Sequence, residues 1–172
     1  GLGLGHLELC VIAEELGRFL APVPFSSSVY LFTEAIIKYG SEEMKKDLLP
    51  KLVSGDVIGT LAVTEDLFAP SKDNIKLSCE SGKINGKKIA VPDASIATHA
   101  LVVAKSEKGI CLQIADLSNE GVSIEHQENI DESRGHFSIT FDGVDTQAIG
   151  DEISGWDIYC LLYTSPSPRD LL

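Results

Sequence analysis

The spacing of apolar residues changes once along this chain, and that change restricts the fold more than any other feature. Before Ser54-Gly55 they recur at steps of three and four. Leu9, Ile12, Ala13, Leu16, Phe19 and Leu20 follow this spacing, with Glu14, Glu15 and Arg18 between them. This is the pattern of a helix with one apolar face. Pro22 and Pro24 stop it, because proline disfavours helical geometry in the residue before it. Residues 26–28, all serine, can cap a second helix carrying Phe32, Ala35 and Ile36, with Gly40 at its C-terminal turn. Ser41 caps a third, with Glu42 and Glu43 at the positive end of its dipole and Met44, Leu48 and Leu52 as its stripe. All three stripes read as core.

From Val57 onward the period is two. Residues 60–63 form an apolar or β-branched run, and Ile75, Leu77 and Cys79 alternate with polar residues. Gly82 and Asn85-Gly86 read as turns. Further short strands are expected at 100–104, 110–116, 122–125 and 137–141. Strands in series without helices between them indicate an antiparallel barrel or sandwich. The expected architecture is therefore α+β: a helical segment over 1–55, then an antiparallel β-barrel or sandwich domain over 56–150. Residues 151–172 open a new helix at "ISGWDIYC" and then run into "LLYTSPSPRDLL". That tail has no helical period, reads as either an ordinary disordered tail or non-native residues, and is expected to pack against nothing from Leu161 onward.

A formal charge of −12 over 172 residues argues against a nucleic-acid partner, whose backbone selects Lys and Arg clusters. The acidic residues are spread along the chain, as on a solvated surface. No apolar run approaches the roughly 18 residues of a membrane span. No basic stretch leads into an apolar one in the manner of a signal peptide, although the first residue is Gly rather than Met. Cys10, Cys79, Cys111 and Cys160 form no CxxC pair, and His6, His99, His126 and His136 no HxxxH. Reduced cysteines in a cytoplasmic protein are expected, not a disulfide framework or zinc site.

"GLGLGH" lacks both a preceding strand and the spacing of a phosphate loop. Glu14-Glu15 and Asp131-Glu132 look like solvated faces, and no nucleophile–base pair stands out. The unusual stretch is "GTLAVTEDLFAPS", residues 59–71. Its strand ends by presenting a hydroxyl and a carboxylate together, Thr64 and Glu65, with Ser71 a few residues on. Turn chemistry alone accounts for such a stretch; what surrounds it gives it a second reading.

In order, the chain contains "AEELGR" and "LAPVPF", then "AIIKYGSEEMKKDLLPKLVSGDVIGTLAVTE", then "GKINGKKIAVPDAS", then "FDGV" before "IG". Over about residues 1–160 this resembles the acyl-CoA dehydrogenase family, from the later helices of its N-terminal domain through its middle β domain. The resemblance implies FAD as cofactor, an acyl-CoA substrate, an electron-transfer flavoprotein or similar acceptor, and a homo- or hetero-oligomer when intact. In the family the strand ending in "TE" and the loop after it line the flavin. By position, Leu61, Val63, Thr64 and Ser71 would take that part, while Glu65 braces the loop.

A second flavin contact falls where the family has a tryptophan and a threonine after "GKK". Here Ala90 and Pro92 stand there, removing a stacking ring and a hydroxyl. "DLFAPSKD" also lacks the family's glycines, which let backbone approach a phosphate closely. The family's general base, usually a glutamate, lies in a C-terminal helical domain missing from these residues, so no catalytic residue is expected here. Two readings follow: a fragment of a flavin-dependent acyl-CoA dehydrogenase, inactive alone, or a non-catalytic subunit of a heteromeric one with a degraded flavin site. An unrelated helix-plus-barrel binding module would require the ordered motifs to coincide by chance.

Overall fold

The computed structural model describes residues 5–130 and 133–164. Among these residues, three α-helices and a π-helical segment precede seven consecutive strands, and a fourth α-helix follows them. α1 (His6–Arg18) is followed by a π-helical segment (Phe25–Thr33) that runs directly into α2 (Glu34–Tyr39), then α3 (Glu42–Ser54). The strands are β1 (Gly59–Ala62), β2 (Ser78–Glu80), β3 (Lys83–Pro92), β4 (His99–Lys105), β5 (Ile110–Asp116), β6 (Val122–Gln127) and β7 (His136–Ile149). α4 (Gly155–Tyr163) closes the described chain.

The sheet is barrel-like. Its path β4–β2–β3–β7–β5 returns to β4, with β6 flanking β7 and β1 flanking β4. Most pairings are antiparallel, as the short strands implied. However, β1 runs parallel to β4, pairing Gly59 with His99 through Ala62 with Val102, and β2 touches β4 in parallel at Ser78 and Lys105. On its other side, β1 and the residues that follow it face β3.

Two apolar clusters follow from strand alternation. On β4, Ala100, Val102 and Ala104 point into the barrel beside Ile84, Val91, Ile139 and Phe141. Leu101 and Val103 point outward, against Phe32, Ile36, Met44 and Leu48 of the helical layer. β4 is buried on both faces, which explains its unbroken apolar run. Contact between the layers is close: a Cβ on Gly59 would lie 2.0 Å from the Phe32 ring, and one on Gly155 2.4 Å from the Cys111 backbone. Glycine at these two positions lets the π-helical segment and α4 sit on the sheet.

Four expectations change. Asn85-Gly86 is not a turn but lies inside β3, where Gly86 at φ 138° accompanies a shift in pairing with β7. The reversal is made by Ser81 and Gly82, both at positive φ. The serines at 26–28 do not cap their helix, which has no side-chain cap; they lie within it and bond to the barrel. The α1 stripe is not core, since α1 has no buried residue and Phe19 and Leu20 are 76% and 85% exposed. Leu9 and Leu16 are only half-buried, and the rest of that face is exposed. Finally, "LLY" continues α4, and Leu162 is buried in the helix-facing cluster, so the chain does not stop packing at Leu161. Residues 165–172 lie outside the described residues.

Candidate functional site

β1 is paired on one edge only, and its far end meets a bulge in β3. Pairing of β3 with β7 slips between Lys88 and Val91, and at the slip Ala90 takes a left-handed φ of 52°. The bulge turns β3 towards β1. Ile89 N–H donates to the Thr64 carbonyl at 2.8 Å, and the buried Thr60 hydroxyl donates to the Pro92 carbonyl at 2.6 Å. Two stretches separated by some twenty-five residues of sequence thus become one edge, with Val63, Thr64 and Glu65 beside Lys88, Ile89 and Pro92.

Glu65 and Lys88 fasten this edge. The Lys88 ammonium donates to the Val63 carbonyl at 3.0 Å and to Glu65 Oε1 at 2.6 Å. The Glu65 carboxylate also accepts the N–H groups of Lys76 at 2.7 Å and Leu77 at 3.1 Å. This fulfils the bracing role expected of Glu65, because the carboxylate closes the base of the intervening loop. Burial pushes the Lys88 ammonium down to about 8, against the upward pull of Glu65.

The loop has turn chemistry of its own. Phe68 N–H donates to Asp66 Oδ1, Ser71 N–H to Asn74 Oδ1, and Asn74 Nδ2 to the Ala69 carbonyl. Leu67 and Phe68 stand out at its tip, 98% and 76% exposed.

Of the residues singled out by sequence, Thr64, Ala90 and Pro92 come together here. Thr64 is half-buried, and its hydroxyl bonds nothing among the described residues. The side chains of Leu61 and Val63 point into the helix-facing core, leaving only backbone for a ligand, and at Val63 only the N–H, because Lys88 takes its carbonyl. Ser71 sits in the loop, half-buried and held by Asn74, and its hydroxyl likewise bonds nothing among the described residues. Ala90 is exposed, with its N–H taken by Gln127 Oε1 at 2.7 Å. Pro92 has no N–H, and its carbonyl is occupied by Thr60.

Lys88 was missed by the sequence reading, and alternation along β3 is the signal that could have found it. Ile84 and Lys88 share a parity, so a lysine falls on the inward face. A second junction, also missed, ties the helical segment to the barrel. Arg134 pairs with Asp93, its Nε 3.2 Å from Oδ1, and donates to the hydroxyls of Ser26 and Ser27. Ser27 also donates to Asp93. Two cavities lie elsewhere. One of about 400 Å³ is lined by Leu9, Ala13, Phe25, Val29 and Leu162, with Glu34 at its polar end. Another, of about 520 Å³, includes Cys79 and Cys111.

Comparison with known proteins places this geometry. A family model described as the acyl-CoA dehydrogenase N-terminal domain matches residues 1–56. Isovaleryl-CoA dehydrogenase of Solanum tuberosum is 30% identical over 136 residues, covering 72% of this chain and 32% of the relative. The chain belongs to the acyl-CoA dehydrogenase family.

It spans about a third of the length of the curated relatives it matches. The fold is shared with an acyl-CoA dehydrogenase from Bacillus anthracis solved in complex with FAD, at a TM-score of 0.82 and 21% identity, covering 94% of this chain and 30% of that one. It is shared too with the ChsE4-ChsE5 complex of Mycobacterium tuberculosis, at a TM-score of 0.80 and 20% identity, covering 92% and 45%. Among the described residues no helix is long and apolar enough to cross a membrane, and no cluster of His, Cys, Asp and Glu could hold a metal. The β1–β3 edge of this acyl-CoA dehydrogenase chain sets the Thr64 hydroxyl, unbonded among the described residues, beside apolar core.

Proposed function

We propose that this chain is the helical and middle-domain portion of a flavin-dependent acyl-CoA dehydrogenase that desaturates an acyl thioester between its α and β carbons. The observation that carries the reading is the Thr64 hydroxyl: half-buried, unbonded among the described residues, and held at a strand end where Lys88 and Ile89 bond the Val63 and Thr64 carbonyls. Such a donor set fits one edge of a flavin ring, which needs fixed hydrogen-bond partners at its nitrogens and oxygens. Thr64 and the backbone of Leu61 and Val63 would hold that edge, with the Ser71 hydroxyl turned to cofactor or thioester. FAD bound there supplies the acceptor for the β-hydrogen. The carboxylate that takes the α-proton belongs to the C-terminal helical domain of the intact protein, so these 172 residues alone are inactive. That domain would also cover the exposed apolar face of α1. An electron-transfer flavoprotein or similar acceptor would reoxidise the cofactor, and four unpaired cysteines suit a reducing compartment such as the cytoplasm.

A second reading is favoured by the β3 side of the edge. Ala90 offers no ring and a committed N–H, and Pro92 offers no N–H at all. The chain would then be the non-catalytic partner in a heteromeric dehydrogenase. The deciding experiment is flavin absorbance per chain in the full-length parent and in Thr64→Val. This substitution keeps shape and β-branching and removes only the hydroxyl. A yellow parent that loses about five- to a hundredfold in flavin affinity on substitution supports the first reading. A parent that purifies colourless and takes up no FAD supports the second. A yellow parent indifferent to the substitution removes Thr64 from the site.

A further inference from the structure

Lys88 has no solvent-exposed side-chain surface, yet the chemistry proposed above makes no use of it. Its two bonds share a feature that an ordinary structural ion pair lacks. The acceptors, the Val63 carbonyl and the Glu65 carboxylate, belong to the residues immediately before and after Thr64. The next residue of β3, Ile89, donates to the carbonyl of Thr64 itself at 2.8 Å. Glu65 is tied in turn to the N–H groups of Lys76 and Leu77. Val63, Thr64 and Glu65 are thus all gripped by one short piece of β3, while the Thr64 hydroxyl bonds nothing among the described residues.

Stability alone is a weak reason for such an arrangement. Desolvating an ammonium and a carboxylate offsets most of their attraction, and a well-packed apolar pair of the same volume commonly does as well. An apolar pair, however, could not hold two backbone directions at once. A flexible strand end would let the threonine rotate, and every rotamer lost on binding weakens the ligand.

We propose that Lys88 is a positioning residue: acting through Val63 and Glu65, it fixes the backbone and rotamer with which Thr64 presents its hydroxyl to the flavin ring. This rests on the flavin reading above. Glu65 is the charged group that acts on Lys88 among the described residues, so the pair is altered together.

The test uses the full-length parent and the neutral double substitution Lys88→Met with Glu65→Gln, which keeps side-chain volume and leaves no buried charge. In flavin-free protein, amide exchange at Ile89 should quicken by about tenfold or more, the scale of losing bonds to a charged group, while amides of Leu101 and Val103 in β4 keep their rates. Unchanged exchange at Ile89, or equal acceleration throughout, overturns the proposal. In flavin titrations, the neutral pair and Thr64→Val should each weaken binding by roughly tenfold, and the triple substitution should be no weaker than either, with the same shift of the visible flavin band. Additive losses would show that Lys88 does not act through Thr64. A parent that takes up no FAD overturns the flavin reading, and exchange at Ile89 then upholds or overturns the grip on Thr64 by itself.

Discussion

Arg134 and Asp93, forty-one residues apart in sequence, form an ion pair on the barrel to which Ser26 and Ser27 of the π-helical segment are bonded. Asp93 leaves β3 at a left-handed φ of 57°, which aims its carboxylate at the junction, and the Arg134 guanidinium spans from it to Ser26 and Ser27. A planar fork of donors suits this bridging, which a lysine could not reproduce.

Arg134→Lys should therefore behave almost as Arg134→Ala, each lowering unfolding free energy by about 1–2 kcal/mol in denaturant titrations. Amides of the π-helical segment should exchange faster in both, while those of β4 are unaffected. A lysine variant as stable as wild type would show that charge alone, rather than the fork, makes the junction.

Gly59→Ala tests the contact between the layers. The added Cβ falls 2.0 Å from the Phe32 ring, and Phe32 is itself fully buried, so the segment must shift. A loss of roughly 2–4 kcal/mol is expected. Combining it with Phe32→Leu should cost less than the sum of the two single changes, because the smaller side chain makes room. Strict additivity would mean that the two residues do not share this space.

Leu162→Ala should cost about 2–4 kcal/mol through the cavity left among Ile158 and its neighbours, whereas Leu161→Ala, on the exposed side of α4, should change stability by under about 0.5 kcal/mol. Equal effects in thermal melts would contradict the orientation of α4.

Lys88 gives the stability an alkaline signature. Its ammonium titrates near 8 in the fold, against an ordinary value of 10.5. Between these values the unfolded chain holds a proton that the folded chain has released, so stability contributed at this site rises with pH. Relative to the Lys88→Met, Glu65→Gln protein, wild type should gain on the order of a few kcal/mol from pH 8 to 10.5, and should lose it again as pH falls through 8. A constant difference across that window would mean that Lys88 titrates normally.

How far local sequence determines this protein shows best in β4 and β3. The apolar run of β4 specifies a strand buried on both faces, because alternate side chains must find cover on opposite sides. Ser41, Met44 and Leu48 likewise specify α3 from cap and period alone, and Ser41 accepts the Met44 N–H as such a cap should. In β3 the local signal misleads. Asn85-Gly86 carries turn residues, yet pairing with β7 on one side and β2 on the other holds it extended, and two neighbouring strands outweigh a two-residue preference.

The same is true of the site. Thr64 and Ala90 are legible as an interrupted strand and a missing ring, but their adjacency is not, since it arises from a bulge and a parallel strand that no local pattern encodes. The burial of Leu162 and the exposure of the α1 stripe were also decided by tertiary structure. An apolar stripe states only that a face seeks cover, and whether it finds any depends on which other elements reach it.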